Sequence, residues 1–203
     1  MIKITLKDGS IKEVEAGKLV IEFAKELSPS LAKKCVCAKV DSNLVDLKYP
    51  LTKDCTLELV LQDSKDAFEV LNHSCAHLLA QAVKHLYPQA MFWVGPVIEE
   101  GFYYDIDLGD EVVKEEDLAK IEEEMKKIIK EDLELERFEL PRDEAIKFME
   151  EKGEPYKVEL INDLPDGEVI SFYKQGDFTD LCRGPHVPNT GVIKAVKLLT
   201  SSG

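Results

Sequence analysis

The stretch NHSCAHLLAQAV at residues 72–83 lies inside the longest helical pattern of the chain, which extends over about residues 65–86. Its apolar residues recur every three or four positions and form one stripe along the predicted helix. His73 and His77 lie one turn apart on a second face, where their neighbours are alanines. Cys75 falls on the apolar stripe, so we interpret it as a core residue. The stretch therefore predicts a central helix that packs along one face and presents two imidazoles on another.

A second pair of the same spacing follows far downstream, where Cys182 and His186 flank a Gly-Pro turn in DLCRGPHVP, residues 180–188. Together with His73 and His77, this pair supplies imidazoles and a thiol. That set suits a tetrahedral zinc site, and it equally suits a pocket for acid–base hydrolysis. The residues alone leave both interpretations open.

Two further polar residues, Asp180 and Lys157, are candidates for the same site. Asp180, in a segment expected to be a loop over residues 178–188, can orient an imidazole, bind a substrate ammonium or close an Asx turn. Lys157 falls in a predicted strand at residues 157–161, where a solvent-facing side chain is favoured because burying a lysine is costly. His85 is isolated on the predicted helix and is expected to be an ordinary surface residue.

The composition narrows the class of protein. Residues 1–63 hold ten lysines and ten acidic residues, so the remainder carries the whole net charge of −14. Binding to nucleic acid depends on basic surface, so a general DNA-binding or RNA-binding protein is disfavoured. No apolar run reaches membrane-spanning length, and the start lacks the apolar core of a signal peptide. We expect a cytoplasmic protein without a membrane partner, whose five cysteines are thiols.

The first sixty residues predict a β-grasp, or ubiquitin-like, module. An alternating strand, an Asp-Gly turn and a returning strand come first, and a short amphipathic helix and further strands follow. The predicted strands are at residues 2–6, 10–15, 35–40, 44–47 and 55–61.

The remainder predicts an α+β domain in which the long helix packs on an antiparallel sheet. We place the domain boundary between residues 62 and 63, giving domains 1–62 and 63–203. Further elements expected in the second domain are two strands within residues 91–108, helices at 115–130 and 142–151, and short strands at 138–140 and 168–173. The chain ends at LLTSSG without a closing element, so we expect it to be part of a longer protein.

The motifs NHSCAHLLAQAV, GPVIEEGFYYDID, EPYKVELI and DLCRGPHVPNTG resemble the N-terminal editing region of bacterial threonyl-tRNA synthetases, and the first sixty residues resemble their TGS domain. The resemblance covers essentially the whole chain. It implies hydrolysis of serine wrongly esterified to threonine tRNA, with tRNA(Thr) and the rest of a synthetase chain as partners. The class II aminoacylation domain, which would use ATP, magnesium and zinc, and the anticodon-binding domain would lie outside this chain.

By motif position, the resemblance implies a catalytic set and a substrate-binding set. Asp180 and Tyr104 would bind the substrate, Tyr104 by packing against the adenine, and editing would need no metal or other cofactor. Two alternatives remain: a non-catalytic RNA-docking appendage with a structural zinc site, and a freestanding deacylase of the alanyl type. The catalytic set is His73, His77, Lys157, Cys182 and His186, and four of these, without Lys157, are the alternative zinc ligands.

Overall fold

The computed structural model describes residues 1–203, which divide into two compact units. Unit 1 comprises Met1–Leu71 and Gly184–Pro188, and unit 2 comprises Asn72–Arg183 and Asn189–Gly203. No helix of the chain is both long enough and apolar enough to cross a membrane.

Unit 1 contains a mixed five-stranded sheet with strand order β2-β1-β7-β4-β5, which matches the expected β-grasp module. The central strand β7 is parallel to its neighbour β1, and every other neighbouring pair is antiparallel. A separate two-stranded sheet joins β3 and β6. The elements are β1 (Ile2–Leu6), β2 (Ile11–Val14), β3 (Lys18–Leu19), α1 (Val20–Leu27), α2 (Pro29–Ala32), β4 (Cys35–Val40), β5 (Asn43–Val45), β6 (Pro50–Leu51) and β7 (Cys55–Leu61).

Helix α1 supplies the apolar residues that cover this sheet. Val20 and Phe23 are buried in one cluster with Ile4, Ala38 and Leu57 of the strands. The backbone N–H of Leu19 donates to the carboxylate of Glu22 at 3.0 Å, which satisfies one donor at the start of the helix. At the other end, Ser28 caps α2 by accepting the N–H of Leu31.

The long helix predicted around residues 65–86 is α3 (Ala67–Leu86), and unit 2 is built around its part from Asn72 onward. Its apolar face packs against α4 (Glu115–Glu131), the acidic helix that the sequence also predicted. The second face is buried as well, because Ala76 and Ala80 are 0% exposed and His77 only 3%. The interpretation of Cys75 as a core residue is confirmed, since it belongs to the same buried cluster.

Residues 91–107 form the expected antiparallel pair, but it is interrupted. Two short ladders are joined by single bonds: the N–H of Trp93 donates to Asp105 O and the N–H of Asp105 to Val94 O, both at 2.9 Å. Pro96 has no backbone N–H to donate, so the ladder is interrupted there. The paired strands are β8 (Met91–Phe92) with β11 (Ile106–Asp107), and β9 (Val97–Ile98) with β10 (Gly101–Phe102).

A three-stranded antiparallel sheet, in the order β12-β13-β14, lies in the second half of unit 2. The expected loop at residues 178–188 is wrong over its first part, because residues 178–181 pair with the preceding strand. Gly176, at φ +58°, and Asp177 form a two-residue hairpin turn, the connection that glycine at the first position favours. The strands are β12 (Glu136–Glu139), β13 (Ser171–Gln175) and β14 (Phe178–Leu181).

Two helices, α5 (Arg142–Glu151) and α6 (Pro155–Asp163), pack on this sheet and bury Met149 and Ile161 against Phe172. Helix α5 matches its predicted bounds. The strand predicted at residues 157–161 is wrong, because that segment lies in α6. Pro155 explains the difference: at the first helical position its missing N–H costs nothing, and its φ is already helical.

Candidate active site

Helix α3 places two imidazoles of unit 2 side by side. The rings of His73 and His77 meet edge to face with centroids 5.6 Å apart, as expected for residues one turn apart. His77 is 3% exposed, and its ring also contacts the edge of Phe178. His73 is half-buried. One imidazole is therefore enclosed, and the other is accessible to a substrate.

Strand β14 brings a carboxylate and a thiol to these imidazoles. The Sγ of Cys182 lies 3.2 Å from Nε2 of His73, and Oδ2 of Asp180 lies 3.5 Å from Nε2 of His77. The backbone of Cys182 extends the ladder beyond β14, since its N–H donates to Ser171 O and its carbonyl accepts the Ser171 hydroxyl. The thiol is consequently held by the sheet.

The first turn of α6 directs Lys157 into the same group. The side chain is 3% exposed, so the expectation of a solvent-facing lysine is wrong. Its Nζ lies 2.9 Å from Asp180 Oδ1, 2.9 Å from the hydroxyl of Tyr104 and 2.7 Å from the carbonyl oxygen of Trp93. These three acceptors match the three N–H donors of an ammonium, which explains how a lysine can be buried here.

Tyr104 completes the group through its hydroxyl. It donates to Oδ2 of Asp180 at 2.5 Å. Its ring packs edge to face on Phe92, which is 1% exposed. Gly95 is required beside this ring, because a Cβ at that position would overlap it. Tyr104 therefore belongs to the polar group, and its predicted packing against an adenine stays a prediction.

Burial and neighbouring charges set the protonation states of the group. Burial lowers the pKa of His77 to about 3, although Asp180 opposes this effect, so the imidazole is neutral. Burial alone would raise the pKa of Asp180, but the Lys157 ammonium and the Tyr104 hydrogen bond bring it below its ordinary value. Burial and the charge of Asp180 raise the pKa of Tyr104 well above its ordinary value. The site thus holds a neutral His77, an ionised Asp180 and a protonated phenol.

Three of the clustered side chains are of the types that bind zinc. The potential ligand atoms of His73, His77 and Cys182 lie within 4.8 Å of one another. Zinc bonds of about 2.0–2.3 Å would place tetrahedral ligands about 3.3–3.8 Å apart, so a small contraction suffices. Neutral imidazoles and a thiol are the right chemical types, and zinc is compatible with the site.

His186, the remaining residue of the predicted set, lies in the segment Gly184–Pro188, which belongs to unit 1. Its side chain is 1% exposed, and its backbone N–H donates to Oδ1 of Asp46 at 2.8 Å. Its membership of the pocket stays a prediction. The structure brings the other predicted residues together in unit 2: His73, His77, Tyr104, Lys157, Asp180 and Cys182.

Glu154 and Gln81 bind backbone segments next to the site, and neither was predicted from the sequence. The carboxylate of Glu154 is 7% exposed and accepts the backbone N–H of Phe92 at 3.1 Å, one residue before the carbonyl that Lys157 uses. Gln81 bonds to the turn between β13 and β14. A signal for Gln81 was present, because it continues the four-residue spacing of His73 and His77.

Two domain families match the chain. The TGS domain matches residues 2–61, and the threonyl and alanyl tRNA synthetase second additional domain matches residues 170–203. The chain is therefore similar to a TGS domain near its start and to a synthetase second additional domain near its end.

The similarity to particular proteins covers all 203 residues. The chain is 58% identical to the threonine–tRNA ligases of Acetivibrio thermocellus and Clostridioides difficile, and 57% identical to that of Clostridium botulinum strain Langeland. It spans about a third (32%) of the length of these curated relatives. The chain therefore corresponds to the N-terminal part of bacterial threonyl-tRNA synthetases.

Proposed function

We propose that this chain is the proofreading part of a threonyl-tRNA synthetase and hydrolyses the ester that joins serine to tRNA(Thr). The observation that carries the proposal is the buried Asp180–Lys157–Tyr104 group beside two imidazoles and a thiol. The similarity to threonine–tRNA ligases supplies the substrate class. Its partners would be the acceptor end of tRNA(Thr) and the rest of the synthetase chain, in the cytoplasm.

The need for such a site follows from the chemistry of the two amino acids. Serine lacks one methyl group of threonine, and a missing methylene in a binding pocket changes discrimination by only about 1–3 kcal/mol. A second site reverses the selection, because a small pocket admits serine and excludes the methyl group of threonine.

The net charge of −14 of this chain agrees with a tRNA that is bound mainly by other parts of the synthetase.

Hydrolysis requires water to add to the ester carbonyl carbon and the bond to the ribose oxygen to break. Serine leaves as its carboxylate, and the ribose oxygen takes up a proton. We assign the positioning of water to the accessible imidazole of His73, with Lys157 assisting the transfer of a proton to the ribose oxygen. The contact of His73 with Cys182 fixes the ring, so that its orientation does not depend on the substrate.

The enclosed groups are assigned to holding the substrate. Asp180 is ionised and His77 is neutral, so both accept hydrogen bonds and suit an ammonium or a serine hydroxyl. Tyr104 donates to Asp180 and keeps the carboxylate in place. Cys182 and, by its place in the motif, His186 would shape the pocket and orient water.

The hydrolytic proposal makes a direct prediction for mutants. Replacing His73 with alanine should lower the rate of serine release from Ser-tRNA(Thr) by about 100-fold or more, the range for a positioned proton-transfer group. Purified chain and Ser-tRNA(Thr) are mixed, and free serine is measured with time. Binding of Ser-tRNA(Thr) without turnover in the unmodified chain would contradict the proposal.

A second function is favoured by one observation, the closeness of three potential zinc ligands. In that alternative, His73, His77 and Cys182 would hold a structural zinc ion in a non-catalytic, RNA-docking appendage. If the chain instead hydrolyses the ester, a zinc ion held by these residues would polarise the ester carbonyl or activate water. We expect hydrolysis to survive treatment with a chelator in protein purified without added zinc. Stoichiometric zinc whose removal abolishes hydrolysis would contradict that expectation.

A further inference from the structure

Helix α3 presents four polar side chains at intervals of four residues, which we name the polar ladder: His73, His77, Gln81 and His85. Four residues advance about 400° around a helix, so successive members shift by only about 40° and stay on one side. All four lie in unit 2 and contact the β13–β14 hairpin or the residue that follows it.

The first two members contact the groups that carry the proposed chemistry. His73 contacts Cys182 at 3.2 Å, and His77 lies 3.5 Å from Asp180. The helix runs opposite to β14, because higher numbers on α3 meet lower numbers on the hairpin. A slide of α3 along the hairpin would therefore change both distances together.

Gln81 forms three hydrogen bonds between the helix and the hairpin. Its Nε2 donates to the backbone carbonyl of Gln175 at 3.1 Å and to Oδ1 of Asp177 at 3.0 Å. In return, Nε2 of Gln175 donates to Oε1 of Gln81 at 2.8 Å. Both glutamines are 1% exposed, so a lost bond would leave buried amide groups unsatisfied.

His85 adds a link at the outer end of the ladder. Its Nε2 lies 2.9 Å from Oδ2 of Asp177, and its Nδ1 lies 2.9 Å from Oε1 of Glu124 on α4. Asp177 thus receives bonds from two members of the ladder. Gln81 and His85 therefore both hold the turn between β13 and β14.

Hydrophobic packing does not fix the axial position of this helix as sharply. The buried residues between the ladder members include Ala76, Leu78, Ala80 and Val83, and apolar contact between such side chains is non-directional. Hydrogen bonds restrict donor–acceptor distances to a few tenths of an ångström. Catalytic groups need positioning within about 0.5 Å, a tolerance that bonds of this kind can supply.

We propose that Gln81 is a positioning residue: by bonding α3 to the β13–β14 turn, it sets the register in which His73 faces Cys182 and His77 faces Asp180. This inference rests on the proposed hydrolysis for its kinetic consequence. Gln81 itself does not touch these four groups through any of its three hydrogen bonds.

The test replaces Gln81 with methionine, which keeps the length of the side chain and removes its hydrogen bonds. The control is Thr190→Val, which removes a buried hydroxyl that bonds to α4 and to Leu133 but makes none of the hydrogen bonds of the ladder. Single-turnover hydrolysis of Ser-tRNA(Thr) is measured with saturating protein, because an unfolded fraction does not change that rate constant. We expect the rate constant to fall by about tenfold to 100-fold in Gln81→Met. The protein concentration that gives half of the maximal rate should stay unchanged within about twofold.

The side-chain NMR resonances of His73 and His77 provide a reading of the register that is independent of activity. They should shift in Gln81→Met and stay in place in Thr190→Val. Should the first variant fail to fold, Asp177→Ala, at a side chain that is 69% exposed, should lower the rate about threefold by removing one of the three bonds of Gln81 together with the contact of His85.

An unchanged rate in Gln81→Met, or an equal fall in both variants, would overturn the positioning role. Absence of hydrolysis in the unmodified chain would instead refute the proposed function. In that case the NMR resonances alone test whether Gln81 sets the register of α3 against the hairpin. Unshifted imidazole resonances of His73 and His77 in Gln81→Met would show that it does not.

Discussion

Asp180 is 3% exposed, and an isolated carboxylate so deeply buried would be protonated. Here a lysine ammonium and a tyrosine hydroxyl hold it in the ionised form. The ammonium of Lys157 and the carboxylate of Asp180 have no net charge together, which limits the free-energy cost of burying them. The same contacts leave one edge of the carboxylate toward His77, where the proposed substrate ammonium would be received.

Replacing Lys157 with methionine should destabilise the chain by about 3–5 kcal/mol, because it leaves Asp180 buried without its partner. Adding Asp180→Asn should recover most of this loss, since no uncompensated charge then remains. Urea unfolding of the two single variants and the double variant gives the coupling free energy. Additive losses would show that the two charges do not depend on each other.

His85 gives a prediction for pH. Burial lowers its pKa, but hydrogen bonds to Asp177 and Glu124 outweigh burial and raise it above the ordinary value. A raised folded pKa means that the stabilisation is complete below the unfolded pKa of about 6.5 and is lost as pH rises through the folded value. His85→Gln should therefore lose more stability at pH 5.5 than at pH 9, by at most about 1 kcal/mol for such an exposed pair. Thermal unfolding at the two pH values measures the difference, and an equal loss at both would refute it.

At the scale of elements, α6 shows what the sequence interpretation could not resolve. The segment YKVELI alternates well enough to suggest a strand, and its helix depends on contacts at both ends. Pro155 begins the helix, and the guanidinium of Arg142 donates to the carbonyls of Ile161, Leu164 and Pro165 at its end. The second contact comes from another helix and is not visible in a local pattern.

Replacing Arg142 with methionine should weaken this helix end by about 2–3 kcal/mol, since hydrogen bonds from a charged group are worth more than neutral ones. Amide hydrogen exchange should accelerate in α6 more than in α4. Uniform acceleration through unit 2 would argue that Arg142 stabilises the whole unit and not this helix end.

At the scale of the whole molecule, elements with strong local signals were predictable. The β-grasp strands, α3, α4 and α5 follow from periodicity, turn residues and helix ends, and the structure places them close to the expected bounds. Strand β14 was missed although Gly176 and Asp177 carried a hairpin signal, because the polar residues after it suggested a loop.

The sequence predicted side chains that lie close together in unit 2, but it did not predict how they contact one another. Spacing singled out His73, His77, Cys182 and His186, and the motif resemblance added Tyr104, Lys157 and Asp180. The burial of Lys157 was not predictable, because it depends on three acceptors from separate segments of the chain. Tertiary contacts of this kind leave no periodic trace in a single sequence.

The central claim, selective hydrolysis of a seryl ester, is tested most directly by one comparison of rates. The purified chain is offered Ser-tRNA(Thr) and Thr-tRNA(Thr) at equal concentration, and the release of each free amino acid is followed. We predict that serine is released at least about tenfold faster than threonine, because the methyl group must be excluded sterically. Equal rates, or release of neither amino acid at saturating protein, would contradict the account.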